Sequence, residues 1–308
     1  MPMNAIEIEN VTKRFGRFTA VDALTLAVPP GTIFGLLGPN GAGKTTTIRM
    51  IMDITAPDSG SIRVLGRPAS RESLTRVGYL PEERGLYRRM RVIDHLLFLA
   101  AIKEVDADTA RRRIDRWLDA MELRPWLGRK VDELSKGMQQ KIQFIATIIH
   151  DPEILILDEP FSGLDPINVN LIRNFLVEFR GERKTIVFST HVLEQAEKLC
   201  DHICLITRSK KVLDGDLKEL KRRFAGNVIR VSTDASREAI LATPGVVAAA
   251  ASDGGFHITL ADGVEPRAVI QRLFERHRVD AFSQKDPELE EIYLQAVRDA
   301  GIEETRTI

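Results

Sequence analysis

Gly38-Pro-Asn-Gly-Ala-Gly-Lys-Thr-Thr46 is the stretch that decides the fold of this 308-residue chain. It fits G-x-x-x-x-G-K-[ST], a loop whose glycines let backbone N–H groups wrap phosphate oxygens where a Cβ would collide. The apolar run Gly31-Thr-Ile-Phe-Gly-Leu-Leu37 in front of it is short enough for a buried strand. Behind it, Thr46-Thr-Ile-Arg-Met-Ile-Met52 reads as a helix. Strand, glycine loop and helix together separate the motif from a chance Gly/Lys turn. The helix N-terminus adds partial positive charge facing the anion. In this reading Lys44 reaches the β- and γ-phosphates and the Thr45 hydroxyl sits on Mg²⁺.

Two more strands carry chemistry at the same end. Ile154-Leu-Ile-Leu-Asp-Glu159 begins with four apolar residues, as a strand buried on both faces of a parallel sheet requires. Asp158 and Glu159 at its end do not suit burial without a task or a partner. Lys184-Thr-Ile-Val-Phe-Ser189 is another strand, with His191 just past it. Ligands of open α/β sheets sit at the carboxyl ends of the strands. The loop, the two acids and the histidine each have a bland reading alone; their convergence on one edge makes that reading poor for the set.

Two further residues are open on spacing alone. Ser135 in Leu134-Ser-Lys-Gly-Met-Gln-Gln-Lys141 suits a helix N-cap, and a helix start with Ser and Gly also suits a phosphate. Phe15 stands beside the Gly16 turn, upstream of the phosphate loop. It is an adenine-stacking ring or a half-buried strand aromatic.

The rest of the chain supplies architecture. Residues 6–28 alternate in strand fashion, and 91–103, 107–121 and 136–150 carry apolar residues at helical intervals. Arg111, Arg112, Arg113 and Arg116 read as a solvated helix face. A boundary falls near Lys221-Arg-Arg-Phe-Ala-Gly226. Beyond it the elements run β-α-β-β-α-β, a ferredoxin-like order, with no chemical constellation. A last helix, 287–299, presents Leu289, Ile292, Tyr293, Ala296 and Val297 on one face, as a contact surface or as packing on its own domain. Lys+Arg and Asp+Glu both number 44, which argues against a broad nucleic-acid-binding face. Cys200 and Cys204 make no disulfide framework and read as buried thiols. Met1-Pro-Met-Asn-Ala5 does not have the pattern of a signal peptide, so none is expected. The longest apolar run, Leu96 to Ile102, is far short of the roughly 20 residues of a membrane span.

With all these parts in place, residues 1–220 resemble the ATP-binding cassette of ABC transporters. GPNGAGKTT at 38–46 is similar to Walker A, ILILDEP at 154–160 to Walker B, and SGLD at 162–165 to the D-loop. LSKGMQQK at 134–141 looks like the signature, which sets this family apart from other phosphate-loop NTPases. The resemblance implies an α/β P-loop NTPase of ABC type. It would have an antiparallel β subdomain, a helical subdomain at about 91–150, and a small C-terminal α+β domain at 227–300. It implies that Gly38, Pro39, Asn40, Gly41, Ala42, Gly43, Lys44, Thr45 and Thr46 bind ATP, with Phe15 on the adenine. Ser135 and Gly137 would bind the ATP held by a second chain. Thr45, Asp158 and Glu82 would hold Mg²⁺, Glu159 would be the general base, and His191 and Lys44 would contact the γ-phosphate. The family pattern has Gln where this chain has Glu82, and Gly and Gln where it has Lys136 and Met138.

The implied assembly is a homodimer closed through ATP, driving separate transmembrane permease subunits from the cytoplasmic face of the membrane, with no nucleic-acid partner. LSKGM, LPEERGLY and the small C-terminal domain are similar to the subfamily serving sodium-efflux and drug-export permeases, so export of an ion or small molecule is expected. The competing reading is a soluble ABC ATPase acting on ribosomes or nucleic acid. Such proteins usually carry two cassettes or a long coiled coil between the Walker motifs, and this chain has neither. A nucleotide sensor with little turnover would have no need of Glu159.

Overall fold

The computed structural model describes residues 3–83, 85–224, 228–252, 255–261, 263–284 and 287–302. Period-two burial in the first thirty residues makes β1 (Ile6–Phe15) and β2 (Phe18–Val28), and the uninterrupted apolar run after them makes β3 (Ile33–Leu37), buried at every position. The phosphate loop leads into α1 (Lys44–Ile51). There follow β4 (Ser59–Val64), β5 (Arg67–Pro68), α2 (Arg71–Leu74) and β6 (Val77–Leu80). A helical layer comes next: α3 (Val92–Ile102), α4 (Ala107–Ala120) and α5 (Lys136–Ile148). The chain then alternates through β7 (Ile154–Asp158), α6 (Pro166–Gly181), β8 (Thr185–Thr190), α7 (Leu193–Leu199) and β9 (His202–Thr207). It closes the sheet with β10 (Lys210–Asp216) and continues into α8 (Leu217–Phe224).

These strands form two sheets. One is antiparallel, in the order β2-β1-β4-β5; the other has the order β10-β9-β3-β8-β7-β6, parallel except for β10. An apolar cluster joins them, with Ile8, Leu24 and Val64 from the first and Phe34, Ile156 and Val187 from the second. Ile48, Met50 and Ile51 of α1 belong to the same cluster, so the helix behind the phosphate loop is locked by both sheets. A chain of aromatic rings ties the helical layer together. Phe175 of α6 meets Trp117 of α4 and Phe144 of α5, each at 4.8 Å between centroids. Edge contacts of this kind contribute about 0.5–1.5 kcal/mol each beyond burial. Arg113 departs from the expected solvated face: it is half-buried and donates to the carbonyl of Ile149 at 2.9 Å, while Arg111, Arg112 and Arg116 are exposed.

Internal contacts divide the chain into Met1–Leu217 and Lys218–Ile308, a cut that falls at the start of α8. The boundary expected from the sequence at Lys221–Gly226 runs into residues 225–227, which lie outside the described residues, as does the tail beyond Ile302. The second unit comprises β11 (Val228–Thr233), α9 (Arg237–Leu241), β12 (Val246–Ser252), β13 (Gly255–Leu260), α10 (Pro266–Phe274), β14 (Val279–Gln284) and α11 (Leu289–Asp299). Its sheet is antiparallel throughout, in the order β12-β13-β11-β14, which is the split β-α-β arrangement of a ferredoxin-like domain. Ile229, Val231, Ile258, Val269 and Leu273 center its own core. The apolar face of α11 is not a free contact surface. Leu289, Ile292, Ala296 and Val297 are all buried within the single chain, because a stripe of that size is costly to leave in water.

Candidate active site

β3, β7 and β8 run parallel and in register, with Leu37 opposite Thr190 and Asp158 opposite Ser189. The phosphate loop, the two acids and His191 therefore leave the sheet at one edge. The loop passes so close to neighboring backbone that two of its glycines have no substitute. A Cβ on Gly38 would lie 2.0 Å from the Ile206 carbonyl oxygen, and one on Gly43 would lie 2.3 Å from that of Ala20. Both also hold positive φ, +150° and +110°. Gly43 caps α1 without a side-chain acceptor, which leaves the first N–H groups of the helix to an anion.

Lys44 is 5% exposed. Its Nζ donates to the carbonyls of Gly38 at 2.7 Å and Pro39 at 3.2 Å and lies 3.5 Å from Glu159 Oε1. Those oxygens offset the cost of burying the cation. Glu159 is itself buried, and both its carboxylate oxygens are 3.1 Å from Nδ1 of His191. Its φ of +49° is a left-handed conformation that costs a non-glycine residue about 1–3 kcal/mol and recurs at functional sites.

Asp158 is 1% exposed. Its Oδ1 accepts from Thr45 Oγ1 at 3.2 Å and from Ser189 Oγ at 2.5 Å, whereas Oδ2 is buried with no hydrogen-bond partner among the described residues. An orphaned carboxylate oxygen costs several kcal/mol in roughly this setting, and a hard cation that takes oxygen ligands beside phosphates removes that cost. Thr45 and Asp158 thus fit Mg²⁺. Among the described residues no three His, Cys, Asp or Glu side chains group into an all-protein metal site. Ser189 serves both acids, since its hydroxyl also accepts from the Glu159 N–H at 3.0 Å. Nearby on β6, Tyr79 is pushed up to about 12 by burial first and by the Asp158 charge second.

Two cavities adjoin these groups. One of about 390 Å³ is bordered by Phe18, Asn40, Gly43, Lys44, Thr45, Thr46, Glu82 and Glu159. The other, about 230 Å³, is bordered by Glu82, Gln140, Gln143, Asp158, Glu159 and Pro160. Glu82 and Glu159 border both. Of the residues singled out in the sequence, Lys44, Thr45, Glu82, Asp158, Glu159 and His191 meet here. Phe15 does not border the larger cavity; it pairs with Phe18 across the end of the β1–β2 ladder and lies 5.5 Å from Lys13 Nζ, while Phe18 borders the cavity. Ser135 caps α5, accepting from Met138 N at 3.3 Å, and with Gly137 it borders neither cavity. Ser189, Phe18, Gln140 and Gln143 were missed by sequence reasoning. The only sequence signal for Ser189 was a hydroxyl near the end of the strand that delivers His191.

A parallel sheet with a phosphate loop, paired acids and a histidine on one edge defines a nucleotide-hydrolysing P-loop protein. Residues 21–162 match the family model described as ABC transporter, and residues 215–297 match that of the ATP-binding protein DrrA1-3-like C-terminal domain. The chain is 39% identical to the ABC transporter ATP-binding protein YhaQ of Bacillus subtilis, over 95% of this chain and 98% of that one. It is 40% identical to the Nod factor export ATP-binding protein I of Paraburkholderia xenovorans, over 70% and 72% of the two chains. A solved ATP-binding subunit of an ABC transporter aligns with a TM-score of 0.67 at 28% identity, covering 71% of this chain and 93% of that one. The chain belongs to the ABC transporter family and is one of its ATP-binding, ATP-hydrolysing subunits, which work with membrane permease components. Among the described residues no helix is long and apolar enough to cross a membrane.

Proposed function

We propose that this subunit powers export of an ion or small molecule through separate permease chains, acting as a homodimer on the cytoplasmic face of the membrane. Similarity to a protein whose name states Nod factor export supports the direction. The dimer would enclose two ATP molecules, each between the phosphate loop of one chain and Ser135 and Gly137 of the other. Exposure of Ser135 at the start of α5, away from both cavities, supports a phosphate delivered by a second chain. The loop amides and Lys44 hold the phosphates, and Phe18 or Phe15 covers the adenine. Thr45 and Asp158 would hold Mg²⁺ with help from Glu82; bound there, the cation neutralises charge on the phosphate oxygens. Glu159 takes a proton from the water that attacks the γ-phosphorus, and ADP leaves. His191 orients Glu159 through the 3.1 Å contacts and reaches the γ-phosphate.

The observation that carries this reading is the buried Glu159, fixed between Lys44 and His191 beside the phosphate loop. Glu159→Gln keeps the shape and removes the base. Turnover should fall at least ~100-fold while ATP binding persists, and ATP-bound dimers should accumulate on gel filtration. Near-normal hydrolysis by this variant would remove Glu159 from the mechanism.

A further inference from the structure

Two glutamines on one face of α5 reach the loops next to Glu159 and Glu82. Gln140 and Gln143 stand three residues apart, so their side chains leave the helix on the same side. Both are buried, at 8% and 7% exposure. The Gln140 amide nitrogen donates to the carbonyls of Pro160 at 3.0 Å and Ser162 at 3.4 Å, in the loop that follows Glu159. The Gln143 amide nitrogen donates to the carbonyls of Pro81 at 3.3 Å and Glu83 at 3.4 Å, on either side of Glu82. Both residues also border the cavity shared by Glu82, Asp158 and Glu159. The helix that begins at Ser135 is thus tied by two amides to both acidic loops.

Packing alone does not call for glutamine here. A buried methionine or leucine would fill the same space without polar atoms to satisfy. Gln140 instead keeps a buried Oε1 that has no hydrogen-bond partner among the described residues. That cost is accepted where the two N–H donors are what the site needs, because each matches a backbone carbonyl.

We infer that Gln140 and Gln143 are positioning residues for ATP hydrolysis: from the helix whose start meets the phosphate, Gln140 sets the loop of Glu159 and Gln143 sets the loop of Glu82. The inference rests on the roles of Glu159 and Glu82 proposed above. Neither glutamine touches the reacting atoms in this scheme. Gln140 acts on turnover through the base, and Gln143 acts on the demand for cation.

The test uses the full chain with ATP and Mg²⁺, comparing Gln140→Met, Gln140→Glu and Gln143→Met with the parent. Gln140→Met should lower kcat about tenfold with ATP affinity within about twofold, the pattern of an interaction that serves the transition state. Gln140→Glu should lose as much at about pH 8, where a carboxylate faces two carbonyl oxygens. Its activity relative to the parent should recover as pH falls toward about 6, because burial favors the neutral acid, whose O–H can donate again. Gln143→Met should raise the Mg²⁺ concentration for half-maximal activity about threefold and leave kcat within about twofold.

A Gln140→Met variant with parental kcat would overturn the inference. So would a Gln140→Glu profile parallel to the parent at every pH, or an ATP affinity that falls in step with kcat. If Gln140→Met folds poorly, the pH series decides, since reversible recovery on acidification requires folded protein and its absence counts against the idea. Normal Gln140 and Gln143 variants alongside an inactive Glu159→Gln would remove only the positioning role. An active Glu159→Gln would remove the base itself.

Discussion

At the sheet edge Asp158 is 1% exposed, Lys44 is held by two carbonyls of its own loop, and Glu159 stands between Lys44 and His191. At the start of α5, Ser135 and Lys136 are exposed, and the Ser135 hydroxyl accepts from Met138 N within its own helix turn. The first region is largely built in advance: Lys44, Glu159 and His191 lie against one another and the loop backbone is fixed by close neighbors, which limits the reorganisation that a phosphate would require. The second is a helix N-terminus ready for an anion that its own chain does not bring near. In the homodimer proposed above, the fold of a single chain would build the first half of the site and a second copy would supply the other.

The largest effect should come from breaking each half separately and then mixing the halves. Lys44→Ala and Ser135→Arg should each lower the ATPase activity of their own homodimers by about 100-fold, since one removes a phosphate contact and the other blocks one. A mixture of the two contains heterodimers with one intact composite site, and a measurable part of the lost activity should return. Full activity in Ser135→Arg alone would abolish the division between the two halves.

A smaller effect sharpens the sheet-edge half. Phe18 borders the larger cavity and Phe15 does not, so Phe18→Ala should weaken ATP binding about five- to tenfold and Phe15→Ala less than about twofold. Equilibrium binding measures both, and the reverse order would assign the adenine to Phe15. Least of all should change when the chain is ended after Gly226. The second unit has its own sheet and core. ATP affinity of the shortened protein should stay within about twofold, with any change falling on dimerisation or permease coupling. Lost affinity in a folded, shortened chain would show that the first unit does not make the site unaided.

The sequence was informative wherever a short segment carries its own physical instruction. The loop from Gly38 to Thr46 needs its glycines for backbone approach. Four apolar residues before Asp158 signal a strand buried on both faces, and Ser135 followed by a helical pattern signals a cap. These signals sufficed for the fold class, for the edge on which the chemistry gathers, and for Lys44, Thr45, Asp158, Glu159 and His191 as candidates. The period-two and helical patterns beyond residue 227 likewise foretold a ferredoxin-like order, which the antiparallel sheet realises.

What remained hidden depends on register between distant segments. Ser189 reaches Asp158 only because β7 and β8 pair in parallel with these residues opposite each other. Phe18, paired with Phe15 at the end of the β1–β2 ladder, borders the larger cavity, which the spacing of the two rings in the sequence did not reveal. The amides of Gln140 and Gln143 find carbonyls 20 to 62 positions away, a choice made by how α5 docks. Even the apolar stripe of α11, plain in the sequence, left open whether a partner or the chain itself would cover it, and the fold buries it. Local backbone chemistry is written residue by residue. Pairing register and helix docking are collective outcomes of burying the apolar surface of many segments at once, and only the folded chain settles them.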